Sequence, residues 1–151
     1  MKKFQFSLEK VLEVKEIEEK ILQKDLLLIQ KDIIDQENKI LDIQEKISQE
    51  RINLSLLNQR STDSAEMMMH YKYLDSLHKR LELFMTELKT FIVKEEKIKS
   101  MLVVKSQEKK SLERLKEIKY DEFQKNYKKQ QQIVLDEVSI QNFRMKQDSH
   151  K

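Results

Sequence analysis

Hydrophobic residues recur at alternating intervals of three and four positions along most of this chain. In the first half, this series contains two polar members and is otherwise apolar: Leu22, Leu26, Ile29, Ile33, Gln36, Ile40, Ile43, Ile47, Glu50, Leu54 and Leu57. Such spacing places one apolar stripe along one face of an α-helix and is typical of helices that supercoil against a partner. The first half therefore predicts one long coiled-coil helix.

The second half carries the same repeat. Its members are Met67, His70, Leu74, Leu77, Leu81, Phe84, Leu88, Phe91, Glu95, Ile98 and Leu102. The 151 residues include no Gly and no Pro, although about 7% Gly and 5% Pro are ordinary. Glycine supplies the backbone freedom of tight turns and helix caps, and proline interrupts helices. Without either residue, the two repeats predict an all-α protein of two long helices.

A cluster of small polar residues at 58–66 separates the two repeats. Within it, Asp63 and Glu66 have the spacing of a helix N-cap with its reciprocal acceptor. The sequence therefore predicts a first helix over about 5–59, a turn over about 60–64 and a second helix over about 65–143. A frayed tail over 144–151 completes a single domain over 1–151.

Folding the chain back at about residue 62 pairs positions whose numbers sum to 124. The register sets Ile47 against Leu77 and places Phe4 opposite Tyr120, so residues after about 122 project alone. The predicted fold is a long antiparallel two-helix coiled-coil hairpin with an overhanging C-terminal helix.

The same register brings together the polar interruptions of the two repeats. Lys15 faces Lys109, and Glu19 faces Lys105. Residues 1–50 carry a net charge of −3 and residues 94–129 a net charge of +5. Opposite charges on the two helices favour their association.

Composition argues against catalysis and against bound small molecules. The chain has no Cys and three His residues, of which His70 and His78 are eight positions apart rather than an i, i+4 metal pair. No Gly-rich loop is present to bind phosphate. We therefore expect no catalytic residues, no metal, no cofactor, no small-molecule substrate and no enzymatic activity.

Neither nucleic-acid binding nor a membrane-spanning segment is expected. The lysines are interleaved with Glu and Asp, which weakens attraction to phosphate. The longest apolar runs contain four residues, too few to cross a bilayer. An apolar segment does not follow Met1-Lys2-Lys3, so no secretory signal is predicted.

Several motifs together resemble the FliJ family, a small component of the flagellar type III export apparatus. The chain opens with Met-Lys-Lys-Phe-Gln-Phe-Ser-Leu-Glu-Lys-Val-Leu-Glu-Val-Lys-Glu, similar to the start of that family. An aromatic and Leu-rich stretch over 70–77 follows the turn, and a Lys/Glu-rich stretch over 108–117 comes next. Asp136-Glu137 lies near the C-terminus. The resemblance covers essentially the whole chain.

This resemblance implies a non-catalytic stalk in flagellar biosynthesis and motility. The stalk would bind the hexameric export ATPase ring, link it to the cytoplasmic region of the export gate membrane protein, and escort and recycle export chaperones. It would be cytoplasmic and peripherally associated with the inner-membrane export apparatus.

The resemblance also implies two partner-binding surfaces. The export gate would contact the face near the turn, at Tyr73, Leu77, Arg80 and Phe84. The ATPase ring would contact the open end, at Phe4, Phe6, Lys116, Tyr120, Phe123 and Tyr127.

Three other functions remain open on the sequence. The first is the equivalent stalk of an injectisome secretion system. The second is a generic coiled-coil tether without an ATPase partner, and the third is a basic helical protein that binds nucleic acid.

Overall fold

A computed structural model describes residues 2–60 and 63–150 of the chain. These residues form two α-helices, α1 over Glu9–Gln59 and α2 over Ser64–Asp148. The helices pack against each other as an antiparallel hairpin, and the described residues contain no strand. The predicted all-α hairpin is therefore confirmed.

Both helices differ from their predicted bounds at one end. α1 begins at Glu9 rather than at about residue 5, and the Glu9 amide donates to the Phe6 carbonyl at 3.1 Å. The preceding residues are not helical, and this lets Phe4 reach across to α2. α2 continues to Asp148 because no Gly or Pro interrupts it, so residues 144–148 are helical rather than frayed.

The start of α2 follows the predicted capping pattern. The Ala65 amide donates to the Asp63 side chain at 3.3 Å, and the Met67 amide donates to the Asp63 carbonyl at 3.2 Å. Asp63 thus satisfies amides that a helix start leaves without an intrahelical partner. The predicted turn residues 61 and 62, like residues 1 and 151, lie outside the described residues.

Contacts within the chain define two units. The turn unit comprises Glu19–Val104, and the terminal unit comprises Met1–Glu18 with Lys105–Lys151. The prediction of a single domain stays a prediction.

The turn unit contains the best-packed apolar cluster. Ile43, Ile47 and Leu77 form its buried centre, and Leu74, Leu81 and Phe84 pack around it. Leu77 is 1% exposed, the lowest value among the described side chains. Contact between Ile47 and Leu77 is what the predicted register requires.

Polar residues in the stripe of α1 are buried together with partners on α2. Gln36, 3% exposed, donates to the Phe84 carbonyl at 3.0 Å and to the Glu87 carboxylate at 2.9 Å. Glu50, 5% exposed, contacts the His70 imidazole directly. These partners offset the cost of removing polar groups from water.

A charged cluster replaces the apolar stripe in the terminal unit. The Lys15 ammonium lies 2.7 Å from the Glu108 carboxylate, and the Lys105 ammonium lies 2.9 Å from the Glu18 carboxylate. Each lysine thus pairs with a carboxylate one residue from the position that the predicted register sets opposite it, because a flexible lysine reaches a flanking position. The predicted facing of Lys15 and Lys109 stays a prediction.

Hydrogen bonds in this cluster shift the protonation of three of its members. The Lys105 ammonium lowers the pKa of Glu18, chiefly through its hydrogen bond, and Lys15 lowers the pKa of Glu108 in the same way. The bond to Glu18 raises the pKa of Lys105. In each case the hydrogen bond outweighs desolvation, which acts in the opposite direction.

We predict that Leu77→Ala lowers the free energy of unfolding by about 3 kcal/mol, because it opens a cavity in the buried cluster. Leu83→Ala is the matched control, since Leu83 is on the same helix but is 57% exposed. It should cost no more than about 0.5 kcal/mol. Urea unfolding followed by circular dichroism measures both, and equal losses would contradict the assigned core.

We further predict that the charged cluster stabilises the folded chain between the ordinary pKa ranges of Glu and Lys. Because the pKa values of Glu18 and Glu108 are lowered on folding, their stabilisation is present above about pH 4.3 and is lost as pH falls through the folded pKa. Because the pKa of Lys105 is raised, its stabilisation is lost only as pH rises through its folded pKa.

The measurement is the thermal midpoint of the native chain and of Glu18→Gln/Glu108→Gln between pH 3 and pH 9. The native chain should have the higher midpoint at neutral pH, and the difference should shrink below about pH 4. Glu137→Gln is the control, since Glu137 is exposed. A difference that stays constant down to pH 3 would rule out the assigned ion pairs.

Candidate partner-binding surfaces

Four aromatic side chains lie together in the terminal unit. The Phe4 ring centroid lies 5.2 Å from that of Tyr120, edge to face, and 5.6 Å from that of Phe123. Phe123 in turn stacks on Tyr127 with centroids 6.4 Å apart. We call these four residues the aromatic row. The ring quadrupoles favour such arrangements, and these pairs stabilise the fold by more than the burial of their apolar area alone.

Two different backbone conformations build the aromatic row: three of its residues lie on α2, and Phe4 lies on a non-helical segment. Tyr120, Phe123 and Tyr127 are spaced by three and four residues, so they share one face of α2. Phe4 precedes the start of α1, and its non-helical backbone brings the ring onto that face. The predicted meeting of Phe4 and Tyr120 is confirmed.

Phe6 and Lys116, the other two residues assigned to this surface, lie beside the row. Lys116 binds the Glu9 carboxylate at 2.8 and 3.0 Å, so its charge is already paired within the chain. Phe6 is half-buried and borders the same cleft as Phe4 and Lys116. The sequence analysis did not predict the Glu9–Lys116 pair. The two residue numbers sum to 125, close to the value of 124 that the predicted register requires.

Beyond Tyr127, α2 continues as an exposed helix. Residues 128–150 are all exposed, so an overhang is present, but it begins later than the predicted residue 122 because Phe123 packs against Phe4. A shallow cleft of about 500 Å³ lies along its first turns, bordered by Tyr127, Gln130, Gln131, Val134 and Leu135. The sequence analysis did not assign the last four, because a surface on one unpaired helix carries no signal in a repeat analysis.

The four residues assigned to the gate-binding face divide into two pairs. Tyr73 is 48% exposed and Arg80 is also exposed, and the two are seven residues apart on one side of α2. Leu77 is buried at the centre of the turn unit, and Phe84 is half-buried against it. A partner at the surface can therefore reach Tyr73 and Arg80 directly, whereas Leu77 is buried and packs in the core of the turn unit.

Within residues 2–60 and 63–150, no three His, Asp or Glu side chains are grouped so that they could hold a metal ion. No helix of the described ranges has an apolar stretch long enough to cross a membrane.

Comparison with known proteins identifies the family. The family model described as "Flagellar FliJ protein" matches residues 4–148 of the 151. Comparisons with curated proteins and with solved structures found no match. The family match spans both helices and both candidate surfaces, and it confirms the resemblance drawn from the sequence motifs. The chain therefore belongs to the FliJ family and is a component of flagellar protein export.

Proposed function

We propose that the chain is a non-catalytic stalk of the export apparatus whose terminal unit binds the hexameric export ATPase ring. The observation that carries this proposal is the continuation of α2 past its last contact with the N-terminal segment. Residues 128–150 are exposed, and the aromatic row lies at their base. A long exposed helix with aromatic anchors at its base is a form that can enter a ring and pack against its inner wall.

The turn unit is proposed to bind the cytoplasmic region of the export gate. Tyr73 offers an amphipathic ring, and Arg80 offers a planar cation on the same side of α2. Tyr and Arg are enriched among the residues that dominate binding energy at interfaces. The gate would thus bind Tyr73 and Arg80, while Leu77 and Phe84 hold them in position.

Chaperone escort is the third part of the proposal. Its support is the apolar surface of α1 that α2 does not cover: in the terminal unit, Val11, Val14 and Ile17 are exposed at spacings of three residues. Contiguous apolar surface of this kind marks interaction sites. Through these contacts the chain would act in the cytoplasm, at the periphery of the inner-membrane export apparatus.

Truncation after Glu122 removes the overhang together with Phe123 and Tyr127, and it tests the role of this end of α2. We expect the truncated chain to keep the helicity of its remaining residues but to lose binding to the export ATPase. The full-length variant Tyr127→Ala should weaken binding roughly tenfold if Tyr127 is an anchor. Pull-down and ATPase stimulation measure both effects, and Ile92→Ala, in the turn unit, is the control.

Normal ATPase binding by the truncated chain would show that the overhang does not enter the ring. Absence of binding by the native chain as well would favour a tether without an ATPase partner. Stimulation of an injectisome ATPase in preference to a flagellar one would favour the equivalent stalk of that system.

The gate surface is tested by Tyr73→Ala/Arg80→Glu. We predict that this variant loses affinity for the purified cytoplasmic region of the gate by roughly tenfold or more, because it removes an aromatic anchor and reverses a charge. Lys79→Glu is the matched control, since it reverses a neighbouring exposed charge outside the pair. An equal effect of the control would indicate nonspecific electrostatic attraction instead.

A further inference from the structure

The N-terminal segment over residues 2–8, which we call the strap, lies across α2 of the terminal unit. It is not helical, and its Phe4 ring contacts both Tyr120 and Phe123. Tyr127 continues the row on the side away from Phe4. The strap therefore covers part of Tyr120 and Phe123, with Tyr120 still 44% exposed, and it does not reach Tyr127.

Side-chain contacts alone hold the strap on α2. None of residues 2–8 makes a hydrogen bond to α2 within the described part of the chain. The first polar attachment is the Glu9–Lys116 ion pair at its base, where α1 begins. Because no hydrogen bond between the strap and α2 has to be broken, the strap can leave α2 while α1 remains packed against it.

The strap lies at the protein surface, where Phe4 is half-buried. A cleft of about 550 Å³ borders Phe4 on the side of Leu12, Glu113 and Tyr120. A second open cleft of about 420 Å³ is bordered by the strap together with Lys119 and Phe123. Phe4 thus covers the row without completing a core, unlike Leu77 in the turn unit.

Charge around the strap favours its exchange for an acidic surface. Lys2 and Lys3 border the same cleft as Lys119, and Glu122 is the one carboxylate there, already paired with Lys119 at 3.2 Å. The strap therefore places cations beside a cation. An apolar partner surface with acidic flanks would pack on the same rings and relieve this excess.

From these contacts we propose that the strap is a displaceable cover that limits access to Tyr120 and Phe123. The inference rests on the proposed function in taking these residues as part of the surface that binds the export ATPase. It changes the role of Phe4 from a contact of that partner to a competitor for the same site. A partner's apparent affinity is reduced by the fraction of chains in which the strap is closed.

Locking the strap in the full-length chain tests the proposal. Lys3→Cys/Asn126→Cys places two thiols around the strap cleft, and the native chain has no cysteine to interfere. A short reducible bis-maleimide closes the strap and a reductant releases it, with all aromatic residues intact. The single variant Lys3→Cys, treated identically, is the control, and Phe4→Ala provides a permanently uncovered row.

The fluorescence of bis-ANS, a probe of exposed apolar surface, gives a readout that requires no partner. The uncovered Phe4→Ala chain should bind the dye better than the native chain, and the locked chain less well. Binding to the export ATPase should follow the same order, with a gain of about threefold to tenfold for Phe4→Ala over the native chain.

Equal dye binding by locked and released chains would overturn the proposal, whatever the ATPase does. Weaker ATPase binding by Phe4→Ala would also overturn it, since Phe4 would then be a contact. If the dye follows the expected order but no form binds the ATPase, the cover stands and the proposed function fails.

Discussion

The structure depends on one apolar stripe of α1 packing against one of α2. The described residues with buried apolar side chains are Leu12, Leu22, Ile29, Ile33, Ile40, Ile43, Ile47, Leu54 and Leu77. All except Leu77 belong to α1. The α2 stripe includes large rings such as Phe84 and Phe91, which a single facing helix covers only in part. α2 therefore retains accessible apolar edges, and the candidate contact residues for the ATPase ring and the export gate all lie on it, except Phe4 and Phe6.

Polar residues within the stripe restrict how the helices can pair. An apolar stripe alone tolerates a shift of one heptad, because a hydrophobic residue then meets another hydrophobic residue. Such a shift would remove Gln36 from the Phe84 carbonyl and Glu50 from His70. Two buried polar groups would then lose their partners, a cost of about 1–3 kcal/mol each. The polar layers thus select one register among several that the apolar residues would allow.

Register arithmetic explains which contacts were predictable from the sequence. Once the turn was located near residue 62, the contacts of Ile47 with Leu77 and of Phe4 with Tyr120 followed. The start of α1 at Glu9 did not follow, because the hydrophobic spacing of the first residues is compatible with a helix. The pairing of Lys15 with Glu108 was not predicted either, because a long flexible side chain reaches a residue next to its facing position.

The same limit applies to the candidate surfaces. Periodicity separates buried from exposed positions, so it could distinguish Leu77 from Tyr73. It carries no information on a helix face that meets no other part of the chain. Val134 and Leu135 on the overhang are of this kind. Whether these two residues are contacts depends on the surface that a partner presents.

The overhang gains an energetic advantage from being continuous with the paired part of α2. An isolated helix in water is limited by the nucleation of its first turn, which fixes several residues for a single hydrogen bond. In this chain the paired part of α2 completes that step, and residues 128–148 add to a helix that already exists. A partner that binds the overhang therefore does not have to offset the free-energy cost of helix nucleation. It has to stabilise only turns that extend an existing helix. Preorganisation of this kind raises affinity without additional contacts.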